Sequence, residues 1–420
     1  MGSNHGSSST PWATATATTS NAKAPRRGGG QAKALDKLTR QCCPWPSHDS
    51  IPLKQSPMKL ATLKDGSRDG QLIVVARDLA TAHLAQATCG TMQSALDDWG
   101  FLSPQLEDLY ARLNDGKARH AFAFEPRQCM APLPRAYQWA DGSAYLNHVE
   151  LVRKARGAEV PQSFYEDPLM YQGGSDDFLG ATDDAPFGSA DWGIDFEAEV
   201  AVITGDVAMG TSAEAALDGV RLVLLANDWS LRNLVPAELA KGFGFLQSKP
   251  ATAFSPVAAT PDELGRGWRG GRVHLPLQSH WNGALVGRHD AGPEMTFHFG
   301  QLIAHVAKTR RLRAGSIVGS GTVSNADRAS GFGCIAEKRA VETIDSGAPV
   351  TAFMQHGDTI RIEMLGADGH SVFGAIDQRV VVTTPRAASP LPPQGGRFSG
   401  PAEPDPRPVL GTRAGPGRHE

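Results

Sequence analysis

The sequence lacks most of the bulk features that mark a nucleic-acid, membrane or disulfide-stapled protein. Its 420 residues carry 41 Lys and Arg against 44 Asp and Glu, a formal net charge of −3. No positive excess points to nucleic acid or to an anionic membrane surface. No apolar run approaches the ~20 residues that span a bilayer, and the opening stretch lacks the compact apolar segment of a secretory signal. Cysteine is scarce: Cys42, Cys43, Cys89, Cys129 and Cys334 are odd in number and match no zinc spacing. They read as separate reduced thiols in a cytoplasmic protein, where disulfides are rare. No internal repeat is present. Gly-rich segments such as Gly265–Arg266–Gly267 do not stand between a strand and a helix as a dinucleotide site requires.

What is present is ordinary in bulk and specific in detail. Hydrophobic residues make up 40% and charged residues 20%, as in globular proteins, and the length allows two domains. Residues 1–57 are rich in Gly, Ser, Thr, Pro and Ala without hydrophobic period, and read as a disordered extension. Their scarcity of acids, with Arg26 and Arg27, admits an organellar transit peptide; Met58, which opens the first clean element, reads as an alternative start. Residues 58–135 read as a small α/β domain. Lys59–Leu63 and Gln71–Ala76 alternate as strands around the Asp65–Gly66 turn, Asp78 is placed to cap a helix through Ala87, and Ser94–Trp99 and Pro104–Ala111 look helical.

Residues 136–386 read as one larger, strand-rich domain. Strands are expected at Phe196–Ile203, Val220–Leu225, Ser316–Val318, Thr359–Met364 and Val380–Thr383. Helices are expected at Ala144–Ala155, Ser212–Leu217 and Phe299–Thr309, with Gly-containing turns between elements. Residues 387–420 are rich in Pro and Gly and read as a disordered tail.

Acids carry the loudest chemical signal. In Asp195–Phe196–Glu197–Ala198–Glu199 the two glutamates share one face of a strand, with Asp195 continuing the row. Such a row repels itself unless a cation lies between the carboxylates, and hard oxygen ligands suit Mg²⁺, Ca²⁺ or Mn²⁺. A solvated edge strand carries the same pattern. Asp228 follows the apolar run Val220–Leu225 beside Trp229, where an acid is costly to bury without a partner; a helix N-cap is the competing explanation. His148 and Glu337 are candidate acid–base groups. A lone His is more often structural, and Glu337 stands beside Lys338 and Arg339, either of which is a surface partner for it. A Glu accepting from a His would set its tautomer and raise its basicity, but the spacing does not show that the two meet.

In this order the motifs resemble those of fumarylacetoacetase and the fumarylacetoacetate hydrolase superfamily. The resemblance runs from Pro132 to Val382. It rests on the Asp141-to-His148 spacing, Pro168–Gly173, the DFEAEVAVI run, Asn227–Arg232, Phe245–Lys249, Leu312–Gly315 with Gly319–Thr322, and Gly357–Thr359. The segment from Met58 to Ala131 looks like the small N-terminal domain of two-domain bacterial members. The resemblance implies an α+β, strand-rich fold, a mixed β-roll with that small N-terminal domain, usually in a homodimer. It implies Asp141, Glu197, Glu199 and Asp228 as ligands of one Mg²⁺ or Ca²⁺, His148 as general base oriented by Glu337, and Lys249 beside metal and substrate. Tyr171, Arg232 and Thr322 fall at substrate-contacting positions. Asp141 is singled out by the resemblance alone.

Two departures stand out. Val235 occupies a position where the best-known member has Gln, which removes a polar substrate contact. The stretch after Lys249 is one residue shorter before Ser255–Pro256. The implied activity is metal-dependent hydrolysis of a carbon–carbon bond in a β-diketo acid such as fumarylacetoacetate, in tyrosine or other aromatic catabolism. Other activities of the superfamily remain open: hydrolysis of fumarylpyruvate or another acylpyruvate, hydration or isomerisation of a ketodienoate, and decarboxylation of oxaloacetate. A metal-binding scaffold without chemistry is the alternative of another class.

Overall fold

Two mixed sheets carry the fold in the computed structural model, which describes residues 56–383. The larger has eleven strands. From one edge it runs Phe122–Ala123, Thr81–Leu84, Gln71–Val75, Lys59–Leu63, Ala258–Ala259, Val220–Asn227, Ala198–Thr204, Ser316–Gly319, Gln138–Gly142 and Met170–Gly173, with Ala253–Phe254 also pairing with Val220–Asn227. Its neighbours are antiparallel except Ser316–Gly319 and Gln138–Gly142, which run parallel. The second sheet orders Ala284–Asp290, Pro276–Trp281, Thr359–Met364, Ile376–Val382 and Ala185–Phe187. The architecture is α+β and strand-rich, as expected. The strands of residues 58–135 belong to the same sheet as the acid-bearing strands, joined where Lys59 pairs with Ala259.

The central strands are apolar on both faces because both faces are covered. Val200, Val202, Val223 and Leu225 join one core with Phe196, Trp229 and Ile360. Ala201, Ile203, Leu222, Leu224 and Ala226 point the other way, into a core with Trp99, Leu106 and Leu109. The helices Met92–Asp97 and Trp99–Asn114 thus back the strand that carries Glu199. At ~2–5 kcal/mol for a buried Leu→Ala change, the rigidity of the acid row depends in part on the N-terminal segment.

Two expectations change. Asp78 caps no helix: its Oδ1 accepts from Ala80 N, Leu79 takes φ 60°, and Thr81–Leu84 returns as a strand against Gln71–Val75. The side chain stabilises a tight turn, a role that Asp fills as readily as an N-cap. The second helix begins at Trp99 rather than Pro104 and passes through that proline. Other boundaries move by a few residues: the helices run Leu146–Ala155, Ala213–Ala216 and Phe299–Val306. Cys89, Cys129 and Cys334 are buried free thiols. Cys42, Cys43, the extension before residue 56 and the tail beyond 383 lie outside the described residues. No described helix is long and apolar enough to cross a membrane.

Candidate metal and catalytic site

The acids are delivered by adjacent strands of the large sheet. Asp141 lies on Gln138–Gly142, opposite Gly319 of the next strand, and Gly319 lies opposite Ala201. A Cβ at Gly319 would come within 2.3 Å of Asp141 Oδ1 and 2.4 Å of the Trp139 ring, so only glycine leaves room for that carboxylate. Glu199 lies opposite Ala226, two residues before Asp228 leaves the end of its strand. Carboxylate oxygens of Asp141, Glu199 and Asp228, all buried, lie within 4.8 Å of one another. Glu197 shares the cavity wall with Glu199, as the two-residue spacing requires, but its carboxylate approaches His148 and Cys334 instead of joining the trio.

The four acids differ in how they are satisfied. Asp228 accepts from Thr252 Oγ1 at 2.9 Å, from Lys249 Nζ at 2.7 Å and from the Tyr171 hydroxyl. Glu197 accepts from Arg232 at 2.6 Å and from Lys249 at 2.6 Å. Asp141 accepts from Gly321 N at 2.9 Å. Both oxygens of Glu199 are buried with no hydrogen-bond donor among the described residues; its neighbour Asp141 can bond to it only if the pair keeps a proton. Burial, and then the neighbouring carboxylates, push Asp141 and Glu199 well above the usual carboxylate range. For Glu197, burial also works upward, but Arg232 and Lys249 outweigh it and hold the carboxyl low. Lys249 is the mirror case: burial works against the ammonium, while Asp228 and Glu197 keep it charged.

Five buried carboxylates, Asp141, Asp195, Glu197, Glu199 and Asp228, therefore face two side-chain cations, Arg232 and Lys249. The compensation is thinnest at Asp141 and Glu199. An all-oxygen set of converging carboxylates with orphaned buried oxygens is the donor chemistry of a hard divalent cation, and the residues present fit one.

Beside Glu197, His148 sits in the first turn of Leu146–Ala155, and Glu337 in the first turn of Ile335–Ser346. His148 Nδ1 and Glu337 Oε1 are 2.9 Å apart although the residues are 189 positions apart in the chain. An ionised carboxylate only accepts, so Nδ1 carries the proton and Nε2 is left as the acceptor. Burial pushes the Glu337 carboxyl up. Hydrogen bonds from His148, Ser324 and Gly333 N more than offset it, and the group stays below its ordinary value.

Asp141, His148, Tyr171, Glu197, Glu199, Arg232, Lys249 and Thr322 line one cavity of about 200 Å³. Asp228 lies beneath it, bonded to Tyr171 and Lys249, and Glu337 lies behind His148. All ten sequence candidates are thus in one place.

Three further residues shape it. Asp195 does not continue the acid row: it accepts from Arg232 Nε at 2.8 Å and from the first N–H groups of the helix that carries Glu337, Ile335 at 2.7 Å and Ala336 at 2.9 Å. One buried carboxylate, with burial its dominant upward influence, thereby places both Arg232 and Glu337. Glu238 accepts from Gln247 N at 2.7 Å, from Ser248 N at 3.0 Å and Ser248 Oγ at 2.5 Å, and from Leu246 N at 3.1 Å. It closes the loop that returns the chain to Lys249. Cys334, the third, is the buried neighbour of His148 and Glu197. No spacing rule joins Glu238 to residues eight to ten further on, so its place shortly after Arg232 is its one signal in the sequence.

The fumarylacetoacetate hydrolase C-terminal family profile matches residues 138–381, more than half of the chain, and the fumarylacetoacetase N-terminal domain 2 profile matches residues 58–135. A comparison with curated proteins finds no significant match. Among solved structures, a fumarylacetoacetate hydrolase from Exiguobacterium antarcticum is 16% identical with a TM-score of 0.52, over 78% of this chain and 100% of that one. A maleylpyruvate hydrolase from a Sphingobium species is 17% identical with a TM-score of 0.52, over 78% and 100%. A protein described as a probable 2-hydroxyhepta-2,4-diene-1,7-dioate isomerase from Mycobacterium abscessus is 17% identical with a TM-score of 0.54, over 78% and 99%. At these identities the likeness establishes the fold and leaves the reaction open. By the extent of the profile match, the chain belongs to the fumarylacetoacetate hydrolase family.

Proposed function

We propose that this chain is a divalent-metal-dependent hydrolase that cleaves a carbon–carbon bond in a β-diketo acid of the acylpyruvate or fumarylacetoacetate type. One observation carries the proposal: a His–Glu pair with a free ring nitrogen shares a small cavity with a trio of under-compensated carboxylates. A cation held by Asp141, Glu199 and Asp228, with Glu197 as the fourth acid, supplies Lewis acidity and a template for a dicarbonyl; Mg²⁺ or Ca²⁺ suits the set, with Mn²⁺ next.

His148 Nε2 takes a proton from water while Glu337 holds the ring and stabilises its charge. The water oxygen bonds to the carbonyl carbon distal to the carboxylate. The bond from that carbon to the central CH₂ breaks, and the CH₂ carbon keeps the electron pair and takes up a proton. Lys249 and Arg232, which line the same cavity, stabilise the negative charge that develops on oxygen; one such donor contributes ~3–4 kcal/mol in comparable sites. Tyr171 and Thr322 bound the substrate from the remaining walls. A water-activating pair favours hydrolysis over the isomerisations and decarboxylations that share the metal site. The proposal also carries a cytoplasmic homodimer acting in tyrosine or other aromatic breakdown, and light scattering checks the dimer.

The test is a spectrophotometric panel of acylpyruvates, fumarylacetoacetate and oxaloacetate with metal-depleted and Mg²⁺-restored protein. Mg²⁺-dependent loss of the diketo chromophore supports hydrolysis. Turnover of oxaloacetate alone replaces it with decarboxylation.

A further inference from the structure

The helix Leu146–Ala155 changes character along the face it turns to the cavity. His148 lies at the inner end; Val149 and Val152 follow within one turn, and Arg156 stands at the rim. At 1.5 Å per residue, Val152 is ~6 Å further out than His148. The same cavity is also lined by Phe164, Leu169, Val235 and Leu239. Leu169 and Leu239 are 41% and 46% exposed, so apolar side chains are left facing water at the mouth of a polar site. Val235 opens the short helix Val235–Leu239, three residues beyond Arg232, and presents an apolar side chain to the cavity.

From this gradient we propose a second, apolar subsite that receives the acyl chain of the substrate, so that the substrate is an acylpyruvate with an extended hydrocarbon acyl group. The inference rests on the hydrolase proposal and deepens it. Chelating oxygens take the inner, charged half of the cavity. The hydrocarbon leaves past His148 along Val152 and covers Leu169 and Leu239. Arginines at the rim do not argue for a second carboxylate: Arg153 donates to Glu159 O at 2.7 Å and lies over the Phe164 ring, and Arg156 is exposed to water, where an ion pair contributes little.

Two measurements separate the subsite from the reaction. Calorimetry on the Mg²⁺-loaded protein with pyruvate, 2-oxobutanoate, 2-oxohexanoate and 2-oxooctanoate is expected to show affinity rising about fourfold per methylene, the equivalent of ~0.8 kcal/mol. For acetyl-, butanoyl- and hexanoylpyruvate, kcat/KM is expected to climb with a similar slope. Val152→Thr, close in shape, and Leu239→Ser are each expected to flatten both slopes. Affinity and kcat/KM that do not change with chain length overturn the subsite. A preference for fumarylpyruvate over hexanoylpyruvate that Arg156→Ala abolishes also overturns it, because the rim then selects a carboxylate. If oxoacid affinity rises with length while no acylpyruvate is hydrolysed, the subsite stands and the hydrolase proposal falls.

Discussion

The two walls of the cavity treat buried charge in opposite ways. On one, His148 and Glu337 satisfy each other, and Gly333 N takes up the second Glu337 oxygen. On the other, Asp141, Glu199 and Asp228 crowd together while both Glu199 oxygens go without a donor among the described residues. The first wall is organised by protein groups alone. The second fits a guest, since carboxylates this close and this buried ionise together only around a cation. The difference separates a part of the site that stability requires from a part that stability opposes.

The sharpest way to break that contrast is Glu199→Gln. An amide donates to Asp141 without a shared proton, so the metal-free variant is expected to gain ~1–3 kcal/mol in stability. Its Mg²⁺ affinity is expected to fall by more than the ~10–100-fold that outer partners contribute. Urea unfolding and calorimetry read the two effects. A metal-free variant less stable than the parent removes the claim that the trio is strained.

His148→Ala tests the other wall. Turnover is expected to fall by ~10²–10⁴ while Mg²⁺ still raises the melting temperature, because binding to the native state stabilises it by about 2.7 kcal/mol at a hundredfold excess over Kd. Retained turnover removes His148 as base. Glu337→Gln, which keeps the shape but weakens the hold on the ring, is expected to cost ~10–100-fold in kcat with little change in KM.

The smallest effect concerns the loop that returns to Lys249. Burial raises the Glu238 carboxyl, but the Ser248 hydroxyl and three backbone N–H groups outweigh it and bring the group down to about 2. A depressed folded value stabilises the native state fully above the ordinary carboxylate value of 4.5 and loses that contribution as pH falls toward 2. Wild-type protein is therefore expected to lose more stability than Glu238→Gln between pH 5 and pH 3, measured as the shift in urea midpoint. Equal shifts remove Glu238 as the anchor of that loop.

Much of this site is legible in the motifs alone. Strand alternation predicts Glu197 and Glu199 on one wall, and both line the cavity although the strand begins only at Ala198. The apolar run before Asp228 marks that acid, and the run is a buried strand. Asp141 stands out only through the family resemblance, because one acid at the end of an unremarkable strand has no periodic signal. Alternation also puts Asp195 in the same row as the glutamates, yet the strand is interrupted after it, and its partners are Arg232 and a helix 140 residues away. The helix expected after Asp78 is absent for a local reason: a single Asp stabilises a two-residue turn and a helix start with the same hydrogen bond.

The sequence by itself determined the strand-rich class, the central apolar strands and the acids themselves, because alternation and burial act over neighbouring residues. Tertiary structure alone decided which charges meet. It joined His148 to Glu337, set Lys249 between Glu197 and Asp228, and left Glu199 without a donor among the described residues. The physical reason is range: side-chain pattern is set within a few residues, whereas the pairing of buried charge depends on which distant strands and helices pack together and what water they exclude.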